Sequence, residues 1–486
     1  MKTRSKQQGF ALLIFITLLA TASAALAVKV MNSGSNNQIA RDKITAATLA
    51  QAKDALIGYA ITYGDTHTTS PQVHGYLPCP DTSGTDIGGE GAAAGICGAK
   101  DVSSIGRLPW RTLDLSPLRG GDNECLWYAV SGTYKNSPET GLMNWDTNGQ
   151  LQVYASDGTT LLTPADNQAV AIIFAPGSAS PAQKRAGTTT PSCGGNYTAS
   201  NYLDNDTVHH IDNANIATGK FIQSHEDRDA RGNIILTVND RMVFITKQDI
   251  WNALQKRRDF LGKLDTMTKL TAECIASFGK KNKTGTPPLA DPANKSLPWP
   301  ARLTLSDYGD IASYDDKNNL FAGRVSYKVN NSQGITHNST SSPFSLLKSD
   351  GANCPIPADW AAIYPWWDNW KDHLFYAISQ NYQPGNHATS PCDIGTCLSV
   401  NGAGKYAAVV MFAGKKLSGK TRADKSVVAD YLEGRNATDI ADPDSSGNED
   451  YQLDPAGSTF NDIVYCIKEN LDVVPGNPLA TPVCPP

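Results

Sequence analysis

The chain has 486 residues and carries 42 Lys and Arg against 47 Asp and Glu, a formal net charge of −5. That balance leaves no basic footprint and argues against nucleic acid as a partner, while the length suits two or three domains. Ten cysteines, an even number, point to disulfides in an oxidising compartment. There are no Cys-x-x-Cys pairs and no histidine cluster in sequence, so spacing favours bridges over zinc. Cys79 with Cys97, flanking a Gly-rich loop, and Cys392 with Cys397 in Cys-Asp-Ile-Gly-Thr-Cys have the spacing of local loop staples.

Met1 to Gln8 carries Lys2, Arg4 and Lys6, Gly9-Phe10 follows, and an uncharged apolar run continues to Val28. A basic leader ahead of an apolar segment marks a chain handed to the translocation machinery. Three outcomes fit. Cleavage after Ala25-Leu26-Ala27 would make the run a secretory signal, retention would make it a membrane helix, and cleavage between Gly9 and Phe10 would leave it at the head of the mature chain. The residues Lys6-Gln7-Gln8-Gly9-Phe10-Ala11-Leu12-Leu13 resemble the leader of type IV prepilins and type II secretion pseudopilins. The resemblance implies cutting at Gly9 by a prepilin peptidase, methylation of Phe10, anchoring of segment 10–28 in the bacterial inner membrane with the head in the periplasm, and assembly with other pilins into a pilus or pseudopilus. Most members carry Glu at the fifth mature position, where this chain has Ile14. The largest pseudopilins, at filament tips, also lack that Glu, so the departure points to a minor or tip subunit.

Behind the anchor, Gln38 to Gly64 reads as a helix, with Leu49, Ala52, Leu56, Tyr59 and Tyr63 on one face. The rest reads as a tandem duplication. Leu77-Pro78-Cys79-Pro80 returns as Leu297-Pro298-Trp299-Pro300, Gly106-Arg107 as Gly323-Arg324, and the run from Leu126 to Ser131 as Leu374 to Ser379. The apolar strands at 169–175 and 407–413 correspond, as do Tyr202-Leu203-Asp204 with Tyr431-Leu432-Glu433 and Asn239-Asp240 with Asn461-Asp462. Asp227-x-Asp229-x-x-Gly232-Asn233 likewise matches Asp442-x-Asp444-x-x-Gly447-Asn448. The second copy opens with a helix from Gln248 to Phe278, its stripe formed by Leu254, Leu261, Leu264, Ile275 and Phe278. The two Asn-Asp pairs suit two-residue hairpin turns.

The expected fold class is α+β: a long N-terminal pilin-like helix and two repeated heads, each a helix on a small antiparallel sheet. The expected divisions are a leader at 1–9, the filament helix at 10–28, a first head at 29–247, a second at 248–470 with an insertion at about 330–358, and a tail at 471–486. Four tryptophans between Trp360 and Trp370 belong to the second copy alone; they pack in the core or at a domain interface, or form an exposed platform for a partner or glycan.

No catalytic constellation is present, and the chain reads as a non-enzyme without a cofactor. Gly414 to Thr421 satisfies G-x-x-x-x-G-K-[ST], with Lys420 and Thr421 in the phosphate and magnesium roles. The first copy has no such pattern at the matching place, Gly177 to Arg185, which favours a plain strand-exit loop. Asp442, Asp444, Ser446, Asn448 and Asp450 offer oxygens around a Gly turn, a set suited to calcium; the competing reading is a polar turn bonded to its own backbone. The adjacent pair His209-His210 reads as a solvated loop.

Overall fold

The computed structural model describes residues 34–67, 73–85, 88–187, 192–281, 283–284, 289–290, 295–330, 344–384, 392, 395–443 and 447–475. The leader, Gly9, Phe10 and the apolar run to Val28 lie outside them, and among the described residues no helix is long and apolar enough to cross a membrane. The fold is α+β. Two compact units divide it: unit 1 comprises the chain to Ala60, Tyr76–Thr140 and Asn148–Ile250, and unit 2 comprises Ile61–Gly75, Gly141–Thr147 and the chain from Trp251.

Helix α1 (Gly34–Thr66), in unit 1 as far as Ala60, precedes the strands of that unit: β1 (Ser104–Arg107), β2 (Trp127–Val130), β3 (Gln152–Tyr154), β4 (Ala169–Ala175), β5 (Asn205–Asp206), β6 (Ile211–Asp212), β7 (Lys220–Ile222), β8 (His225–Arg228), β9 (Ile234–Val238) and β10 (Arg241–Thr246). The order β1-β2-β4-β10 is antiparallel throughout. β4 is an unbroken apolar run because both of its faces are covered. Leu49, Ala52, Leu56 and Tyr63 of α1 are buried as the spacing predicts, with Ala60 beside them. Lys53 of α1 donates to the Phe244 carbonyl of β10 at 3.0 Å and pairs with Asp249 at 3.2 Å. β3 and β7 form a parallel ladder that no hairpin could supply.

The second long helix is two helices, α2 (Lys247–Gln255) and α3 (Arg258–Lys280). The break at Lys256-Arg257 resets the helical phase. Phe260 therefore turns inward, and Leu261, expected on the buried stripe, is 47% exposed. Unit 2 continues with β11 (Lys283–Thr284), β12 (Leu289–Ala290), β13 (Ala322–Arg324), β14 (Lys328–Val329), β15 (Phe344–Ser345), α4 (Pro357–Trp370), β16 (Leu374–Ile378), β17 (Leu398–Val400), β18 (Ala403–Phe412), α5 (Gly434–Ala441), β19 (Asp450–Tyr451), β20 (Ile463–Lys468) and β21 (Val473–Pro475). β13, β16, β18 and β20 form an antiparallel series, extended by β17 and β21. Helix α3 packs on it, with Tyr465 of β20 donating to Asp265 at 2.9 Å. The expected insertion carries β15, and α4 starts at its end with Pro357 in the first turn, where a missing N–H costs nothing.

The Asn-Asp pairs are not hairpin turns. Asn239-Asp240 separates β9 from β10, yet β9 pairs with β8 and β10 with β4. Both pairs instead supply buried hydrogen bonds. In unit 1, Asp240 accepts from the Asp204 N–H at 2.7 Å and from Asn213 Nδ2 at 3.2 Å, while Asp204 accepts from the Asn239 N–H at 2.7 Å. In unit 2, Asp462 accepts from the Glu433 N–H at 3.1 Å and from Asn436 Nδ2 at 3.0 Å, while Glu433 accepts from the Asn461 N–H at 3.1 Å.

Burial, then the neighbouring Glu433, push the Asp462 carboxyl well above its usual range. Its Oδ1 and Glu433 Oε1 are both buried acceptors without a donor, which a retained proton would satisfy. A raised carboxyl contributes stability that is complete below the ordinary value near 4 and is lost as pH climbs through the folded value. Asp462→Asn fixes the neutral form. Its stability relative to wild type, read from melting curves, should therefore rise as pH climbs above about 4, by at most about 1.4 kcal/mol per pH unit. Parallel melting curves would rule out the retained proton.

Candidate metal centre

The short hairpin β5–β6 sets Asp206 opposite Ile211. Asp206 Oδ1 accepts from the N–H groups of Val208 and His209, both at 2.9 Å, an Asx turn that curls the chain back. Its Oδ2 is thereby aimed at His209 Nδ1, 2.7 Å away. Burial alone would raise the Asp206 carboxyl, but these hydrogen bonds outweigh it and hold the group below its usual value. Gly158, at φ +63°, leaves room for the imidazole: a Cβ there would stand 2.2 Å from His209 Cδ2.

Strand β8 supplies the other half. Alternation places His225 and Asp227 on the inner face, while Glu226 and Arg228 pair in solvent at 2.8 Å. His225 Nδ1 lies 2.8 Å from the Gln223 carbonyl, so that nitrogen donates to the backbone and Nε2 is the one turned to the carboxylates. Nε2 stands 3.2 Å from Asp206 Oδ2 and 3.3 Å from Asp227 Oδ2. Neither contact has hydrogen-bond geometry, and Nε2 and Asp227 Oδ2 are both buried without a hydrogen-bond partner. One ligand atom from each of Asp206, His209, His225 and Asp227 lies within 4.8 Å of all the others. Ile211, Ile222 and Val238 make a small apolar cluster that ties β6, β7 and β9 together beside this group.

The pair His209-His210 does not form the solvated loop expected of it. The fold separates them: His210 is exposed at φ +58°, and His209 meets His225 with ring centroids 5.5 Å apart. The spacing groups Asp227 with Asp229 in one turn, but Asp229 caps the β8–β9 turn, accepting from Arg231 and Asn233 N–H at 2.8 and 2.9 Å, while Asp227 lies on the strand. The usable signal was His225-x-Asp227 at strand spacing together with Asp206-x-x-His209. Neither half suffices alone.

Of the expected calcium ligands, Asp444 and Ser446 lie outside the described residues. Asp442 follows α5 directly, a different setting from that of Asp227 on its strand. Asn448 donates to the Gly395 carbonyl at 3.2 Å. Asp450 accepts from Ser399 and the Gly402 N–H, both at 2.7 Å, and pairs with Arg435 at 2.8 Å. Cys79 is bonded to Cys97 and Cys392 to Cys397, and Cys125–Cys193 and Cys274–Cys354 are further bridges. In the glycine-rich loop, Lys420 donates to the carbonyls of Ala429 and Leu432, and Thr421 Oγ1 donates to Asp430 at 2.7 Å. No α-helix opens directly at Thr421 to receive a phosphate; the next one begins at Gly434. No known protein family, curated protein or solved structure matches the chain.

Proposed function

We propose that this chain is a minor, tip-type subunit of a type IV pilus or type II secretion pseudopilus, working by membrane anchoring and filament assembly. The observation that carries the reading is the basic leader ending in Gly9-Phe10 ahead of an apolar run. Helix α1, 33 residues long and buried along one stripe, supports it, because such a helix would continue the apolar segment into the head. Ile14 in place of Glu supports the tip assignment.

The head reading is a tandem duplication, and its best support is polar rather than apolar. Arg185 donates to the Gly177 carbonyl at 2.8 Å and stacks on Tyr202, and Arg422 donates to the Gly414 carbonyl at 2.6 Å and stacks on Tyr431. Asn239 Nδ2 reaches the Ser178 carbonyl at 2.8 Å, and Asn461 Nδ2 the Lys415 carbonyl at 2.6 Å. Tyr128 donates to the Pro78 carbonyl at 3.2 Å, and Tyr376 to that of Pro298 at 3.1 Å. A Cβ on Gly106 or Gly323 would come within 2.5 or 2.2 Å of the neighbouring carbonyl of Asp81 or Ala301. Matching donors and acceptors at matching positions are harder to reach twice by chance than matching apolar strands.

N-terminal sequencing of the mature protein, made in a host with a prepilin peptidase, tests the filament assignment. The expected start is an N-methylated Phe10, with Gly9→Val accumulating as uncut precursor. A start at Val28 would make the chain a secreted binding protein.

A further inference from the structure

We propose that Asp206, His209, His225 and Asp227 form a binding site for a divalent transition metal of the zinc class, with structural rather than catalytic coordination. The argument is geometric. Ligands held about 2.0–2.1 Å from a tetrahedral zinc stand roughly 3.3 Å from one another. The two contacts of His225 Nε2 already have that spacing, at 3.2 and 3.3 Å. Of the other four pairs, His209 Nδ1 to Asp206 Oδ2 at 2.7 Å is a hydrogen bond, and replacing its proton with a metal asks it to open by about half an ångström, while the remaining three lie within 4.8 Å and close onto the ion. His225 is prepared in the manner of a metal ligand, its far nitrogen donating to a backbone carbonyl so that Nε2 faces inward. That side chain is only 6% exposed and that of Asp206 is 0% exposed, so the atoms aimed at the centre have little recourse to water.

The donor set selects the metal class. Two imidazoles with two carboxylates favour zinc and its neighbours over calcium, which takes six to eight oxygens. Two carboxylates also balance a 2+ ion. With all four positions supplied by the chain, no open position is left for a substrate. The metal's role would be to clamp β8 to the β5–β6 turn. An isolated two-stranded hairpin is marginal in water, and β9 leaves both Ile234 and Ile235 exposed. The site belongs to unit 1 and does not depend on the filament assignment.

The test uses the full-length protein, purified in detergent, freed of metal with EDTA and titrated with zinc and with cobalt chloride. One zinc per chain is expected, with a Kd below about 1 µM, and the cobalt form should show intense visible bands of a tetrahedral ion. His225→Ala and Asp227→Asn should each weaken zinc binding by about a hundredfold or more, and His210→Ala should leave it unchanged. Asp227→Asn guards against misfolding, since its side chain is 24% exposed and the amide preserves its shape. Zinc should also slow proteolysis of the β8–β9 hairpin in wild type but not in Asp227→Asn. The proposal is overturned by substoichiometric zinc, an octahedral cobalt spectrum, displacement of zinc by millimolar calcium, or wild-type affinity in Asp227→Asn.

Discussion

Trp370→Ala should lower the stability of unit 2 by about 3–5 kcal/mol, the cost of removing a large aromatic from a closed core. Trp370 is 1% exposed. Its ring meets Trp145 edge-on at 4.6 Å, His373 at 5.3 Å, Trp251 at 5.8 Å and Phe412 at 5.9 Å. These neighbours come from α2, β18, the turn after α4 and the segment Gly141–Thr147. No single element can move in to fill the space, and the cost depends on how far a site can collapse. Guanidinium unfolding followed by near-UV circular dichroism is the measurement. A loss under about 1 kcal/mol would show that the cluster repacks around the vacancy.

The same residue shows what the chain disclosed about itself. Four tryptophans in one short stretch announced an aromatic concentration without saying whether it faced solvent or core. Periodicity could not decide, because the only polar residues of α4 are Asp359, Asp368 and Asn369; the structure buries Trp360, Ile363, Trp366, Trp367 and Trp370 along one stripe. Where one face alone was apolar, as on α1 from Leu49 to Leu56, spacing identified the buried residues directly. Leu261 failed because a helix break restarts the phase, and Lys256-Arg257 carries no Pro or Gly to announce one. The Asn-Asp pairs failed because turn propensity and buried hydrogen bonding draw on the same small polar side chains. The candidate metal-ligand group was hidden for a topological reason. His209 and Asp206 lie in one hairpin, His225 and Asp227 in another strand, and their meeting depends on β5–β6 and β8 folding side by side. Segment Gly141–Thr147 is similar: it is flanked in sequence by parts of unit 1 but belongs to unit 2, where Asn144 and Trp145 make hydrogen bonds that no local pattern foretold.

Those bonds converge on Asp372, and Asp372→Asn should cost unit 2 roughly 3 kcal/mol at pH 7, the low end for breaking a buried ion pair. The Asp372 side chain is wholly buried. Its Oδ1 accepts from His373 Nδ1 at 2.9 Å and from Asn144 Nδ2 at 3.1 Å, and its Oδ2 faces the Lys425 ammonium. Trp145 Nε1 donates to His373 Nε2 at 2.8 Å, so the imidazole proton is directed to the carboxylate. Burial raises the Asp372 carboxyl, but Lys425 and His373 outweigh it and hold the group well below its usual value. The low end applies because Lys425 is 28% exposed and can turn to water when its partner is neutralised. A depressed carboxyl contributes stability that is complete above the ordinary value near 4 and is lost as pH falls through the folded value. Wild type should therefore lose its advantage over Asp372→Asn as pH drops from about 5 towards 2, and the two melting temperatures should converge. That convergence on acidification is opposite in sign to the effect of rising pH expected for Asp462→Asn. A melting-temperature gap independent of pH would mean that Asp372 holds unit 2 by its shape and hydrogen bonds, with its charge contributing nothing.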